Sequence, residues 1–123
     1  MTTITRRYHF ESGHWLPGVP EEHKCHRLHG HNYVIEITVS GSVDLKTGFI
    51  IDFWDLDKIV QPIIDRIDHR VLNDIVGLNN PTAENIAAWF LERLSSNGVS
   101  AVRVYETIDC WADVKAPATV TLP

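Results

Sequence analysis

Alternation of apolar and polar residues opens the chain. From Thr3 to Phe10, the residues Ile4, Tyr8 and Phe10 share one parity, as in a strand with one buried face, and Arg6 interrupts that face. After a loop with Pro17, Gly18 and Pro20, the segment His31 to Ser40 alternates most clearly: Tyr33, Ile35, Ile37 and Val39 on one side, Glu36, Thr38 and Ser40 on the other. Gly41 and "DLKTG" mark a turn into the short apolar piece "FIIDF", where Asp52 is placed to cap a helix. The period then changes. From Phe53 to Ile67, the residues Leu56, Ile59, Val60, Ile63, Ile64 and Ile67 recur at three and four, which predicts an amphipathic helix that Pro62 should kink. Thr82 begins a second helix with the stripe Ala83, Ile86, Ala87, Phe90 and Leu94, and Gly98 stops it. Alternation returns in "VSAVRVYET", a last strand is expected from Cys110 to Val114, and Pro117 and Pro123 break the tail.

The order is ββααββ, an α+β fold: a four-stranded antiparallel sheet with two helices on one face. Its two edges would be open, so oligomerisation is expected. A length of 123 residues fits one domain, 1–123, without internal repeats or low-complexity segments. The net charge of -5 argues against a nucleic-acid or anionic-membrane binder. The N-terminal stretch lacks the apolar core of a secretion signal and no segment is apolar enough to span a bilayer, so a cytoplasmic location is expected, with Cys25 and Cys110 as free thiols.

The chemistry concentrates in "KCHRLHGHNYVIEITV". His29 and His31 are two apart at a strand entrance, so both imidazoles point to one face. His14 lies on the extension of the first strand, where a hairpin would bring it alongside. Three neutral imidazoles make a zinc site with an open fourth position. Cys25 is then either a fourth ligand or a thiolate base, its charge favoured by the metal and by Lys24 and Arg27. Cys110 reads as a small core residue, and His9, His23 and His26 as surface or loop residues. Asp68 with His69 forms a carboxylate–imidazole pair suited to proton transfer, and Glu106, at a strand end, can accept two donors from a planar heterocycle.

Several ordered motifs together resemble the pterin synthases, the family of enzymes that make 6-pyruvoyl- and 6-carboxytetrahydropterin: "FESGH", "CHRLHGHNY", "GFIIDF", "LDKIV", "DHRVLND", "NPTAEN" and "VYET". The resemblance implies a tunnelling fold (T-fold), zinc on His14, His29 and His31, Cys25 as catalytic base, Asp68 and His69 as a second proton-transfer pair, and Glu106 as anchor of the pterin ring. It also implies a homohexamer, a dimer of trimers with sites between subunits, acting on 7,8-dihydroneopterin triphosphate. "PEEHKCHRLHGHNY", "TGFIIDF" and "LNDIVGLNNPTAEN" look closer to the carboxy-forming branch, which releases acetaldehyde and triphosphate for 7-deazaguanine and queuosine synthesis. The competing expectations are a pyruvoyl-forming synthase, which does not cleave the side chain, and a noncatalytic module in which Cys25 closes the zinc site. His26 and the segment from Asp109 onward match the family pattern less well.

Overall fold

A computed structural model describes residues 1–117; the tail beyond Pro117, including the break expected at Pro123, lies outside the described residues. The elements are β1 (Thr2–His14), β2 (His29–Gly41), α1 (Phe53–Asp65), α2 (Ala83–Leu94), β3 (Val99–Thr107) and β4 (Cys110–Lys115). The strands form one antiparallel sheet in the order β1-β2-β3-β4, with both helices inserted between β2 and β3.

The alternating residues face inward as their parity requires. Across the sheet Tyr8 opposes Ile35, Phe10 opposes Tyr33, and Ile35 in turn opposes Val104. These side chains join Leu56, Val60 and Ile64 of α1 and Ile86, Phe90 and Leu94 of α2 in one buried core. Arg6, the interruption in β1, lies on the same face and reaches α1, where Asp57 accepts from its Nε at 3.1 Å and from the Tyr8 hydroxyl at 2.6 Å. The polar face is tied by Glu36, which accepts from Arg7 Nη2 at 2.6 Å.

Helix boundaries follow local chemistry. Asp52 accepts from Trp54 N at 2.9 Å and Thr82 from Asn85 N at 3.1 Å, satisfying donors that a first helical turn leaves free. Pro62 sits inside α1 on its exposed side, where the Lys58 carbonyl that loses its donor can turn to water. The helix ends at Asp65 instead of Ile67, and Ile67 is buried from the turn that follows. "FIIDF" forms no strand; Ile50 and Ile51 pack against the core from a bend.

Two differences shape the site. β1 continues past Phe10 to His14, and β2 begins at His29, so the hairpin runs on until His14 opposes His29. Cys110 is exposed instead of buried. It shares the parity of Ala112 and Val114, but it stands at the β3–β4 turn, past the part of β4 that packs on the core.

Candidate metal centre

Register builds this site. Residues opposite each other in an antiparallel pair project to the same side, as do residues two apart on a strand. His14 opposes His29, and His31 follows two residues later on the face of Tyr33. Their ligand atoms all lie within 4.8 Å of one another.

The second nitrogen of two rings fixes the tautomer. His14 Nδ1 donates to Pro81 O at 2.7 Å, and His29 Nδ1 donates to Arg27 O at 2.7 Å. A carbonyl only accepts, so Nδ1 carries the hydrogen in both rings and each Nε2 presents a lone pair. Those two Nε2 atoms are 3.0 Å apart. Two lone pairs that close repel unless a proton or a cation lies between them. Burial pushes both His14 and His31 below the ordinary imidazole range, which disfavours the proton on either ring. His31 Nε2 is itself buried without a hydrogen-bond partner among the described residues.

The donor set therefore fits a transition-metal dication. Zinc–imidazole bonds of about 2.0–2.1 Å in a tetrahedron place donors about 3.3 Å apart, close to the 3.0 Å between His14 Nε2 and His29 Nε2, and three histidines leave a fourth position open. Carbonyls on the outer nitrogens are the usual means of orienting such rings.

Glu106 joins this group. Its Oε1 lies 3.4 Å from His31 Nε2, near enough for charge interaction but without hydrogen-bond geometry, and its side chain is partly buried. Near the end of β3 it brings a carboxylate to the three rings, which favours a bound cation.

Cys25 occupies a short turn, Lys24–His26, and is half-buried. His23 Nδ1 accepts from Cys25 N at 3.0 Å, and Leu16 N donates to Cys25 O at 2.8 Å. Its sulfur is not among the donors gathered within 4.8 Å, so the four-ligand arrangement of one cysteine with three histidines is not formed.

Asp68 and His69 form a separate pair on the β1 edge. Asp68 Oδ1 accepts from Glu11 N at 3.0 Å and lies 2.9 Å from His69 Nδ1. The Glu11 N–H holds the Asp68 carboxyl below its usual range against partial burial, and His69 adds to that effect. His69 N donates to Glu11 O at 2.6 Å, and the His69 backbone is left-handed, with φ 57°. His69 and His31 line one open cleft of about 510 Å³, which Glu11, Gly13 and Gly30 also line.

Sequence patterns alone miss several contributors. Pro81 and Arg27 act through main-chain carbonyls, which carry no residue-type signal. Tyr33, read as core, also brings its hydroxyl to 3.1 Å from His14 Nδ1. His26, read as a loop residue, is half-buried with its ring 5.7 Å from that of Trp15.

Residues 3–117 match the family described as PTPS: 6-pyruvoyl tetrahydropterin synthase. The chain is 35% identical over 114 residues to the 6-carboxy-5,6,7,8-tetrahydropterin synthase of Synechocystis, covering 89% of this chain and 87% of that protein. It is 44% identical over 70 residues to the dihydroneopterin monophosphate aldolase of Pyrococcus furiosus, covering 57% of this chain and 58% of that one. Its fold superposes on 6-pyruvoyl tetrahydropterin synthase from Caenorhabditis elegans with a TM-score of 0.85 at 28% identity, covering 94% of this chain and 96% of that one. A match that takes in both ends of the sheet and the histidines between them leaves one conclusion: the chain belongs to the 6-pyruvoyl tetrahydropterin synthase family.

Proposed function

We propose that the chain is a zinc-dependent lyase that converts 7,8-dihydroneopterin triphosphate and one water to 6-carboxy-5,6,7,8-tetrahydropterin, acetaldehyde and triphosphate, in 7-deazaguanine and queuosine synthesis. The observation that carries the metal assignment is the pair of Nε2 lone pairs 3.0 Å apart, with Nδ1 of each ring committed to a carbonyl. The carboxy-forming product is supported by the name of the Synechocystis relative.

His14, His29 and His31 hold the zinc, which when bound supplies Lewis acidity toward the oxygens of the substrate side chain. Cys25, outside the ligand group, acts as thiolate and removes a proton from that side chain. Asp68 holds the Nδ1 side of His69, and Nε2, 3.6 Å from Glu11 Oε2, carries a proton to or from substrate during the internal redox shift from dihydropterin to tetrahydropterin. Glu106 accepts two N–H groups of the pterin ring. No external redox cofactor enters. Lys24 and Arg27, next to Cys25, are candidates to meet the triphosphate.

The edge of β1 before Glu11 and the edge of β4 suit a ring of three chains, and two such rings give the proposed cytoplasmic homohexamer with sites completed between subunits. No helix of the described residues is long and apolar enough to cross a membrane.

Zinc-loaded protein incubated anaerobically with 7,8-dihydroneopterin triphosphate, beside a chelated control, tests the reading by mass spectrometry. Metal-dependent 6-carboxytetrahydropterin and acetaldehyde are expected. A pyruvoyl product would favour the second reading, which the name of the C. elegans structure supports. In a parallel incubation with dihydroneopterin monophosphate, release of an aldehyde phosphate would point to aldol cleavage, as the Pyrococcus relative's name suggests. Both substrates unchanged would overturn all of these.

A further inference from the structure

Among the described residues, Cys25 makes no hydrogen bond to His14, His29 or His31. Its place relative to His14 runs through the main chain. Leu16 N, two residues beyond His14, donates to Cys25 O at 2.8 Å. The residue between, Trp15, is gripped at both main-chain groups by one side chain: Trp15 N donates to Asn73 Oδ1 at 3.0 Å, and Asn73 Nδ2 donates to Trp15 O at 2.8 Å. A bidentate amide of this kind fixes translation and rotation of a peptide segment together, and Asn73 is partly buried, where such bonds compete less with water. The second contact across the junction is the His26 ring, 5.7 Å from that of Trp15 and tilted by 69°. Asn73 lies in a 3-10 turn, Leu72–Asp74, directly after the stretch that bonds to β1: His69 N donates to Glu11 O, and Gly13 N to Arg70 O at 2.9 Å. One short segment thus carries the Asp68–His69 pair and, through Asn73, braces the turn that carries Cys25.

We infer that Asn73 is a positioning residue, which sets Cys25 against His14 by clamping the Trp15 backbone. This rests on the reading of Cys25 as the base. Asn73→Ala removes both bonds; Asn73→Asp keeps the acceptor for Trp15 N and loses the donor to Trp15 O, and serves where the alanine variant fails to fold. Two readouts need no substrate. The Leu16 amide should exchange hydrogen at least tenfold faster in Asn73→Ala, with the His69 amide unchanged. Alkylation of Cys25 by iodoacetamide, quantified by peptide against Cys110 in the same sample, should accelerate at least fivefold while Cys110 holds. Zinc content should stay at the parent level, and kcat should fall at least tenfold with KM within twofold. Asn73→Asp should show the same changes at smaller size.

Leu16 exchange and Cys25 alkylation within twofold of parent in a folded Asn73 variant would overturn the inference, as would a rise in KM at constant kcat. Should Cys25→Ala instead keep full turnover, the base assignment fails, and the exchange and alkylation results still decide separately whether Asn73 positions Cys25.

Discussion

If zinc binds as proposed it should stabilise this fold, replacing His29 with alanine should abolish that gain, and its size can be worked out. His14 Nε2 and His29 Nε2 face each other at 3.0 Å, and His31 Nε2 is buried without a hydrogen-bond partner among the described residues. Only the folded hairpin brings these atoms together, so metal binds the native state far better than the unfolded chain. At zinc about one hundredfold above its dissociation constant, linkage gives about 2.7 kcal/mol. An unfolding entropy of about 2.1 cal/mol/K per residue, over 123 residues, amounts to about 260 cal/mol/K. The quotient is a rise in Tm of about 10 °C. Scanning calorimetry of chelated protein titrated with zinc, at fixed protein concentration and near-neutral pH, measures it. His29→Ala and His31→Ala should shift by less than about 2 °C; in chelator His31→Ala should melt close to the parent, because it removes an acceptor without a partner among the described residues, whereas His29→Ala also loses its Nδ1–H bond to Arg27 O, worth about 0.5–1.5 kcal/mol. A zinc shift as large in either variant as in the parent would refute the assignment of these donors.

Other outcomes follow from the same geometry. Cys25→Ala should retain zinc by metal analysis and lose about 10²- to 10⁴-fold in single-turnover rate; loss of zinc instead would restore Cys25 as a ligand. Glu106→Gln should raise KM at least tenfold, with weaker pterin binding by fluorescence titration, and an unchanged KM would remove it as the ring anchor. Because burial holds His14 and His31 below 6.5, the unfolded chain binds more protons than the folded one as pH falls through that value, so metal-free protein should lose stability from about pH 6.5 downward. The slope is at most about 1.4 kcal/mol per pH unit for each histidine, and urea midpoints that stay flat down to about pH 5 would contradict it. His69→Gly relieves a left-handed backbone at φ 57°, so it should hold or raise stability by up to about 1 kcal/mol while turnover falls. Thermal melts beside turnover assays check that pairing, and a variant both less stable and fully active would contradict it.

Much of this fold is written in local pattern. The parity of Tyr33, Ile35, Ile37 and Val39 determines which face of β2 is buried, and the same parity carries His29 and His31 onto that face, because strand geometry repeats every two residues. Asp52 and Thr82 mark helix starts because capping is a contact within three residues. What a local pattern does not contain is the reach of a pairing. β1 runs four residues past its last aromatic because β2 continues opposite it, and that extension alone sets His14 against His29. Cys110 shows the converse: its parity is that of the core, but burial depends on what covers a position. The tautomers of His14 and His29 are decided by the carbonyls of Pro81 and Arg27, and the place of Cys25 by Leu16 N–H. Every residue type supplies those main-chain groups, so no composition or spacing can single them out. The sequence alone determined which side chains could do chemistry and on which face of a strand they lie; tertiary structure decided which nitrogen each ring offers and how near the donors come, because those depend on backbone atoms brought in from segments distant along the chain.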